Sequence, residues 1–290
     1  EGAFIERGCG AINTVQLIGG EWIWLDDQRQ IIKLNGHTPV VVSTPYAKMI
    51  QNFKSVSDAK AWTMSIAGRN FYIITFPSAN YTLAYEYQLE HWYPWLSWDS
   101  TTNTYNKFKA NCYCYAKDWN LHLIGDSQKG VIYAMSLDAY NDYGNTIRVL
   151  RRTGHISHDT LERKRSRKLT LRMKAGMNGY IADIYDNIDA LPVANFAVDG
   201  DAYGGLNVDT YSTPSTPNVM IRWKDNNKSW SNEHWVSIKN TGDTNFIARL
   251  SNLGIYETRQ YEFVYCGNTP WTLVEAEEDV EVLQTQGGNS

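Results

Sequence analysis

No stretch of this 290-residue chain approaches the roughly 18 uninterrupted apolar residues of a membrane-spanning helix, so no membrane insertion is expected. The opening, Glu1 to Arg7, lacks the basic segment and apolar core of a secretory leader. There is no initiator Met, as expected of a fragment or a processed product. Cysteine is scarce: Cys9, Cys112, Cys114 and Cys266 are too few and too scattered for a disulfide framework or a zinc site. Cys112 and Cys114 would share one face of a strand without readily bonding each other, so free thiols in a reducing compartment are expected. The histidines (His37, His91, His122, His155, His158, His234) are dispersed, and only His155 and His158 lie close together, with no third ligand beside them. Neither a metal nor a cofactor is expected. A phosphate-cradling Gly-x-x-x-x-Gly-Lys and a nucleophile elbow are both missing. With a net charge of −4, the chain as a whole is mildly acidic.

What the chain has in quantity is aromatic side chains. Eleven Trp and nineteen Tyr, among many Thr, Val and Ile, favour pleated sheet, where flat and branched side chains pack well, and helical periodicity is hard to find. The first half repeats one arrangement about every 50 residues: aromatic strand, tight polar turn, strand, centred on Trp22, Tyr72 and His122. The first copy runs Thr14–Ile18, Glu21–Leu25, Arg29–Leu34 and Pro39–Ser43, with Gly19-Gly20 and Asn35-Gly36 as hairpin turns able to take positive φ. The second runs Ala61–Ile66, Phe71–Phe76, Tyr81–Tyr87 and Trp92–Trp98. A looser third runs Asn111–Ala116, Asn120–Ile124, Val131–Ser136 and Thr146–Leu150. Four-stranded units of this period are the blades of a β-propeller, each needing a neighbour to bury its faces. Three visible blades are fewer than the roughly four to eight that close a ring, so the propeller is expected to be incomplete in this chain.

After Leu150 the texture changes. Arg151, Arg152, Arg163, Lys164, Arg165, Arg167, Lys168, Arg172 and Lys174 crowd one stretch, and a boundary near residue 153 is predicted, with blades over 1–153 and a further antiparallel β unit, or the remaining blades, over 154–290. Strands are predicted at Lys168–Lys174, Tyr180–Tyr185, Asn218–Trp223, Glu233–Ile238, Asn245–Leu250, Arg259–Tyr265 and Thr272–Glu275. The polar segment 186–217 reads as a long loop excursion with a short buried piece near Val193–Val198. The acidic Glu275–Glu281 reads as an added edge strand before a polar tail.

Several of these segments carry a family resemblance. Ile5-Glu-Arg-Gly-Cys9, Trp24-Leu-Asp-Asp27, Val42-Ser-Thr-Pro45, the run Gly68 to Pro77, Thr82-Leu-Ala-Tyr85 before Trp92, and later Ile221 to Ser231, Ala248-Arg-Leu250, Leu253-Gly254 and Tyr261-Glu-Phe263 resemble, in that order, the packaged-DNA stabilisation proteins of short-tailed bacteriophages. Members of that family form the tail hub or nozzle. The resemblance implies a structural, non-enzymatic propeller-bearing subunit of a homo-hexameric ring in the virion tail, assembled in the host bacterial cytoplasm. Its implied neighbours are the portal or adaptor and the tail needle or spike, and it would help to retain packaged DNA and form part of the ejection channel. Family members usually carry further blades before the segment matching Ile5 to Cys9.

Particular residues admit other readings. Asp225, Asn227 and Trp230, in Trp223-Lys-Asp-Asn-Asn-Lys-Ser-Trp230, resemble a propeller Asp box, in which an Asp bonds turn amides and a Trp packs beneath; its expected role is structural. A sialidase-like glycosidase would need paired carboxylates, or a Tyr nucleophile with an arginine cluster. Asp26 and Asp27 sit where a turn wants Asp, and no such arginine signature precedes a blade, so an enzyme is not expected. The basic run Arg163, Lys164, Arg165, Arg167 and Lys168 is the candidate contact with DNA, since cations neutralise phosphates without reading sequence. Its alternative is pairing with acidic groups of an adjacent subunit. The strip Trp92 to Trp98 fits a packing layer between blades or, on a glycan- or receptor-binding propeller of a virion, a sugar platform.

Overall fold

A computed structural model describes residues 5–137, 139–142, 145–175, 218–238, 246–267 and 269–283. The fold is all-β, with a single short helix, Ala47–Gln51, among the described residues. The chain divides into two compact units, Glu1–Ala139 and Tyr140–Ser290.

The first unit is a stack of blades. Gln16–Ile18, Glu21–Leu25, Ile31–Asn35 and Thr38–Val41 pair in sequential antiparallel order, and Lys60–Ile66, Arg69–Phe76, Tyr81–Glu86 and His91–Pro94 do the same. The turn signals behave as their chemistry requires: Gly19 and Gly20 both have positive φ between Ile18 and Glu21, and Gly36 does between Asn35 and Thr38. Strand alternation divides the second blade between two cores. Tyr72, Ile74 and Phe76 pack with Ile23, Leu25 and Ile31 of the first blade, while Phe71 and Ile73 join Trp62 and Met64 against Ala110 and Ile124 of a third sheet. The second blade is thus buried on both faces, as stacked blades require.

The third repeat departs from expectation. Ala110–Ala116, Leu121–Asp126 and Ile132–Met135 form a three-stranded sheet, not a four-stranded blade. Its turn Lys117 to Asn120 closes with a left-handed Asn120 (φ 52°) whose amide donates to the Lys117 carbonyl, the same geometry as Pro77 to Asn80 in the second blade (φ 51°). Arg29 closes the corresponding turn of the first blade, with φ 59° and its amide on the Asp26 carbonyl. Aligned on these turns, the third sheet supplies strands two to four of a blade. The predicted fourth strand belongs elsewhere: Arg148–Arg152 pairs with Arg259–Cys266. The division of the chain therefore falls at 139/140 and not near 153, because that strand's hydrogen bonds are made with the second unit.

The second unit is a two-layer sandwich, which corrects the option that residues 154–290 hold the remaining blades. One sheet has the order Arg148–Arg152, Arg259–Cys266, Asn218–Asp225, His234–Ser237; the other has Phe246–Tyr256, Lys164–Ala175, Trp271–Val282. Leu169, Leu171, Met173, Ala248 and Leu253 of the second sheet share one core with Val219, Ile221, Tyr261, Phe263 and Tyr265 of the first. The non-sequential order excludes a blade meander for these strands. The predicted strand Tyr180–Tyr185, the excursion 186–217 with its Val193–Val198 piece, and the terminal tail lie outside the described residues.

Candidate functional site

The basic run forms the start of the central strand Lys164–Ala175. A bulge between Ser166 and Lys168 shifts its alternation, so Lys164 and Ser166 turn inward and so do Leu169, Leu171 and Met173. Lys164 is fully buried, its ammonium donating to the carbonyls of Thr160, Glu162 and Glu257 at 2.7, 2.7 and 2.8 Å. Three acceptors use all three donors of the group, so Lys164 is removed from the candidate contact residues. Arg163, Arg165, Arg167 and Lys168 are exposed. The acidic strand Trp271–Val282 lies directly beside this one: Arg165 faces Glu281, Lys168 faces Asp279 and Arg172 faces Glu275. Arg167 reaches Glu281 at 3.0 Å and Arg172 reaches Glu275 at 3.2 Å. The acidic partners of the run are supplied by its own chain.

The Asp-box resemblance holds in backbone shape and fails in side-chain role. Asn226 and Asn227 both have positive φ (48° and 59°), as expected of Asn in the place of Gly. The Asp225 carboxylate, however, accepts from Arg259 Nε at 2.6 Å and Nη2 at 2.9 Å, and no turn amide is bonded to it. It is Asn226 Oδ1 that accepts backbone amides, those of Glu257 and Thr258. Trp230 lies under the guanidinium groups of Arg152 and Arg222, both of which also bind the buried Glu262.

Arg259 organises a buried network that sequence reading missed. It is fully buried, binds Asp225, reaches Glu278 Oε1 at 3.3 Å and the Leu253 carbonyl at 2.7 Å, and lies 4.0 Å over the Tyr256 ring. Tyr256 donates to Glu278 Oε2 at 3.0 Å, and His158 Nε2 is 3.1 Å from the same hydroxyl. Burial, then the adjacent Glu278 charge, pushes the Tyr256 phenol far above its ordinary value. A signal was present in the sequence: Arg259 is in phase with Tyr261, Phe263 and Tyr265 on one strand face. The network ties the two sheets of the unit together, since Arg259 and Asp225 belong to one and Leu253 and Glu278 to the other.

In the first unit, an open groove of about 580 Å³ runs beside Lys60–Ile66, the terminal strand of its sheet. Tyr113, Tyr115 and His122 line one side; Thr63, Ser65 and Asn70 are among those lining the rest. Tyr113 Oη and His122 Nδ1 are 2.7 Å apart, and Tyr115 donates to Asn120 Oδ1 at 2.6 Å. The opposite face of the third sheet carries Cys112, Cys114, Ala116, Leu121, Leu123, Ile132 and Ala134, on the alternation set by Tyr113 and Ile124 packing inward. Cys112 and Cys114 are exposed, as are Leu121 (42%) and Ile132 (73%). The strip Trp92 to Trp98 is largely packing: Trp92 is buried against Tyr85 and Tyr46, and Trp95 packs on Phe71 and Phe108. Asp26 is buried and accepts the Gln28 and Gln30 amides, the turn role expected of it. Among the described residues, no three His, Cys, Asp or Glu gather to hold a metal ion.

No protein-family model matches the chain, and no curated protein matches it. Among solved structures, it is similar to a glycoside hydrolase family 43 arabinoxylan arabinofuranohydrolase from Bacillus subtilis in complex with cellotetraose, with 7% identity and a TM-score of 0.28, over 95% of this chain and 54% of that one. It is also similar to an exo-beta-1,3-galactanase from Phanerochaete chrysosporium with galactose, with 9% identity and a TM-score of 0.17, over 86% of this chain and 64% of that one. The chain spans about half the length of the first and less than two thirds of the second. Both are glycoside hydrolases, which overturns the expectation of a non-enzymatic protein; that expectation is withdrawn, and likenesses this slight assign no reaction or substrate in its place.

Proposed function

We propose that this chain is a structural subunit of the tail hub or nozzle of a short-tailed bacteriophage, where it helps retain packaged DNA and forms part of the ejection channel. In this reading it sits in a hexameric ring of the virion tail, between the portal or adaptor and the tail needle or spike, after assembly in the host cytoplasm. The ordered motifs from Ile5 to Phe263 suggest the family, and one structural observation supports a subunit that needs neighbours. That observation is the outer face of the third sheet, where Cys112, Cys114, Leu121, Ile132 and Ala134 are exposed and Ala116 and Leu123 are half-buried. A sheet face of this kind is stable in water only when something covers it.

The charge pattern of the second unit fits the same reading. A wall beside DNA that must later leave should not hold phosphates strongly, because each neutralised phosphate adds to affinity. The exposed Arg165, Arg167 and Arg172 are matched by Glu281 and Glu275, which lowers the pull on a passing duplex. Particles carrying Leu123→Lys with Ile132→Lys test the proposal. Expected are unassembled tails and loss of packaged genome; particles of normal yield holding full-length DNA would overturn it.

A further inference from the structure

We propose that the groove along Lys60–Ile66 is a binding site for a neutral saccharide. Its volume of about 580 Å³ falls in the usual range for small-ligand sites, roughly 300–1,000 Å³. No Asp, Glu, Lys or Arg lines it, so a charged ligand would find no counter-ion there. What lines it instead is two kinds of surface that together match a pyranose, which has C–H faces and a rim of hydroxyls. The exposed ring of Tyr115 offers an aromatic surface, with the His122 centroid 5.0 Å from it; Tyr113, stacked on both Trp62 and His122, holds His122 in place. Their hydrogen bonds, Tyr113 to His122 and Tyr115 to Asn120, fix these rings before any ligand arrives, which lowers the ordering cost of binding.

Thr63, Ser65 and Asn70 share the face of Tyr72, so they line the same open groove from the other side of the strand edge, and their side-chain polar atoms take part in no hydrogen bond among the described residues. Lys60–Ile66 is a terminal strand, so part of its backbone edge is also free to donate and accept. At the rim, Ala67 is held at φ 49° beside Gly68 at φ 75°. An alanine in the left-handed region is a strained choice where glycine would be relaxed, and such strain is often kept at ligand-contacting turns.

The test is saturation-transfer NMR and calorimetry on the full chain with neutral gluco-, galacto-, manno- and xylo-oligosaccharides, using a sialylated trisaccharide and an uncharged extended peptide as comparators. At least one neutral sugar should bind with a Kd below about 1 mM. Tyr115→Ala should weaken it by about tenfold or more, since the ring is lost from an exposed position, while Tyr115→Phe should keep the ring and most of the affinity. Both variants should melt close to the parent. Failure of every neutral sugar to bind, undiminished binding by Tyr115→Ala, tighter binding of the sialylated sugar, or binding of the peptide in place of sugar would each overturn the proposal.

Discussion

Among the described residues, an exposed sheet face of the second unit and one of the first unit are built in opposite ways. The three-stranded sheet of the second unit displays Arg165, Lys168 and Arg172 opposite Glu281, Asp279 and Glu275. The third sheet of the first unit displays Cys112, Cys114, Leu121, Leu123 and Ile132. Cross-strand ion pairs make a face that water can solvate and that resists pairing with other sheets. An apolar face does the reverse. The chain can write a finished surface, so the unfinished one reads as a place where another blade or subunit belongs.

The largest effect should come from the layer beneath the charged face. Arg259→Met leaves Asp225 and Glu278 without their cation, and a loss of about 3–5 kcal/mol is expected in chemical denaturation; a loss under about 1 kcal/mol would show that the network is not structural. Leu123→Lys with Ile132→Lys should abolish association through the apolar face at the cost of only a small fall in the midpoint of unfolding, because Ile132 is largely exposed and Leu123 is only half-buried. Sedimentation checks this, and a cooperative loss of fold would mean the face is core.

Alkaline titration separates tyrosines from charges. Burial pushes the Tyr85 phenol up to about 12, against about 10 in an unfolded chain. The folded state therefore favours the neutral phenol. Its contribution is complete below about pH 10 and is lost as pH rises from there towards 12. Tyr85→Phe should flatten that part of the stability profile, and an unchanged profile would remove Tyr85 as its cause. Ala67→Gly should stabilise by about 1 kcal/mol through relief of the left-handed alanine. Least of all, Arg172→Ala should change stability by less than about 1 kcal/mol, since its pair with Glu275 is half exposed on both sides.

Most strands were legible because apolar alternation is local. The strand expected at Thr146–Leu150 lies at Arg148–Arg152 and belongs to a different sheet, since its partner Arg259–Cys266 is more than 100 residues away and nothing local names it. The inward turn of Lys164 was not legible because a bulge at Ser166/Lys168 changes the parity on which the reading depends. In the turn after Asp225, the motif gave the backbone and missed the carboxylate's partner, which comes from Arg259 on the neighbouring strand. The groove wall was half visible: Tyr113 and Tyr115 alternate onto one face, but only pairing with Leu121–Asp126 brings His122 beside them.

An electron-microscopy reconstruction of the phage particle tests the central claim most directly. This account predicts a ring of this chain in the tail, with protein density packed on Leu123, Ile132 and Ala134 of the third sheet. A tail without the chain, or a ring in which that face meets only solvent, would contradict it.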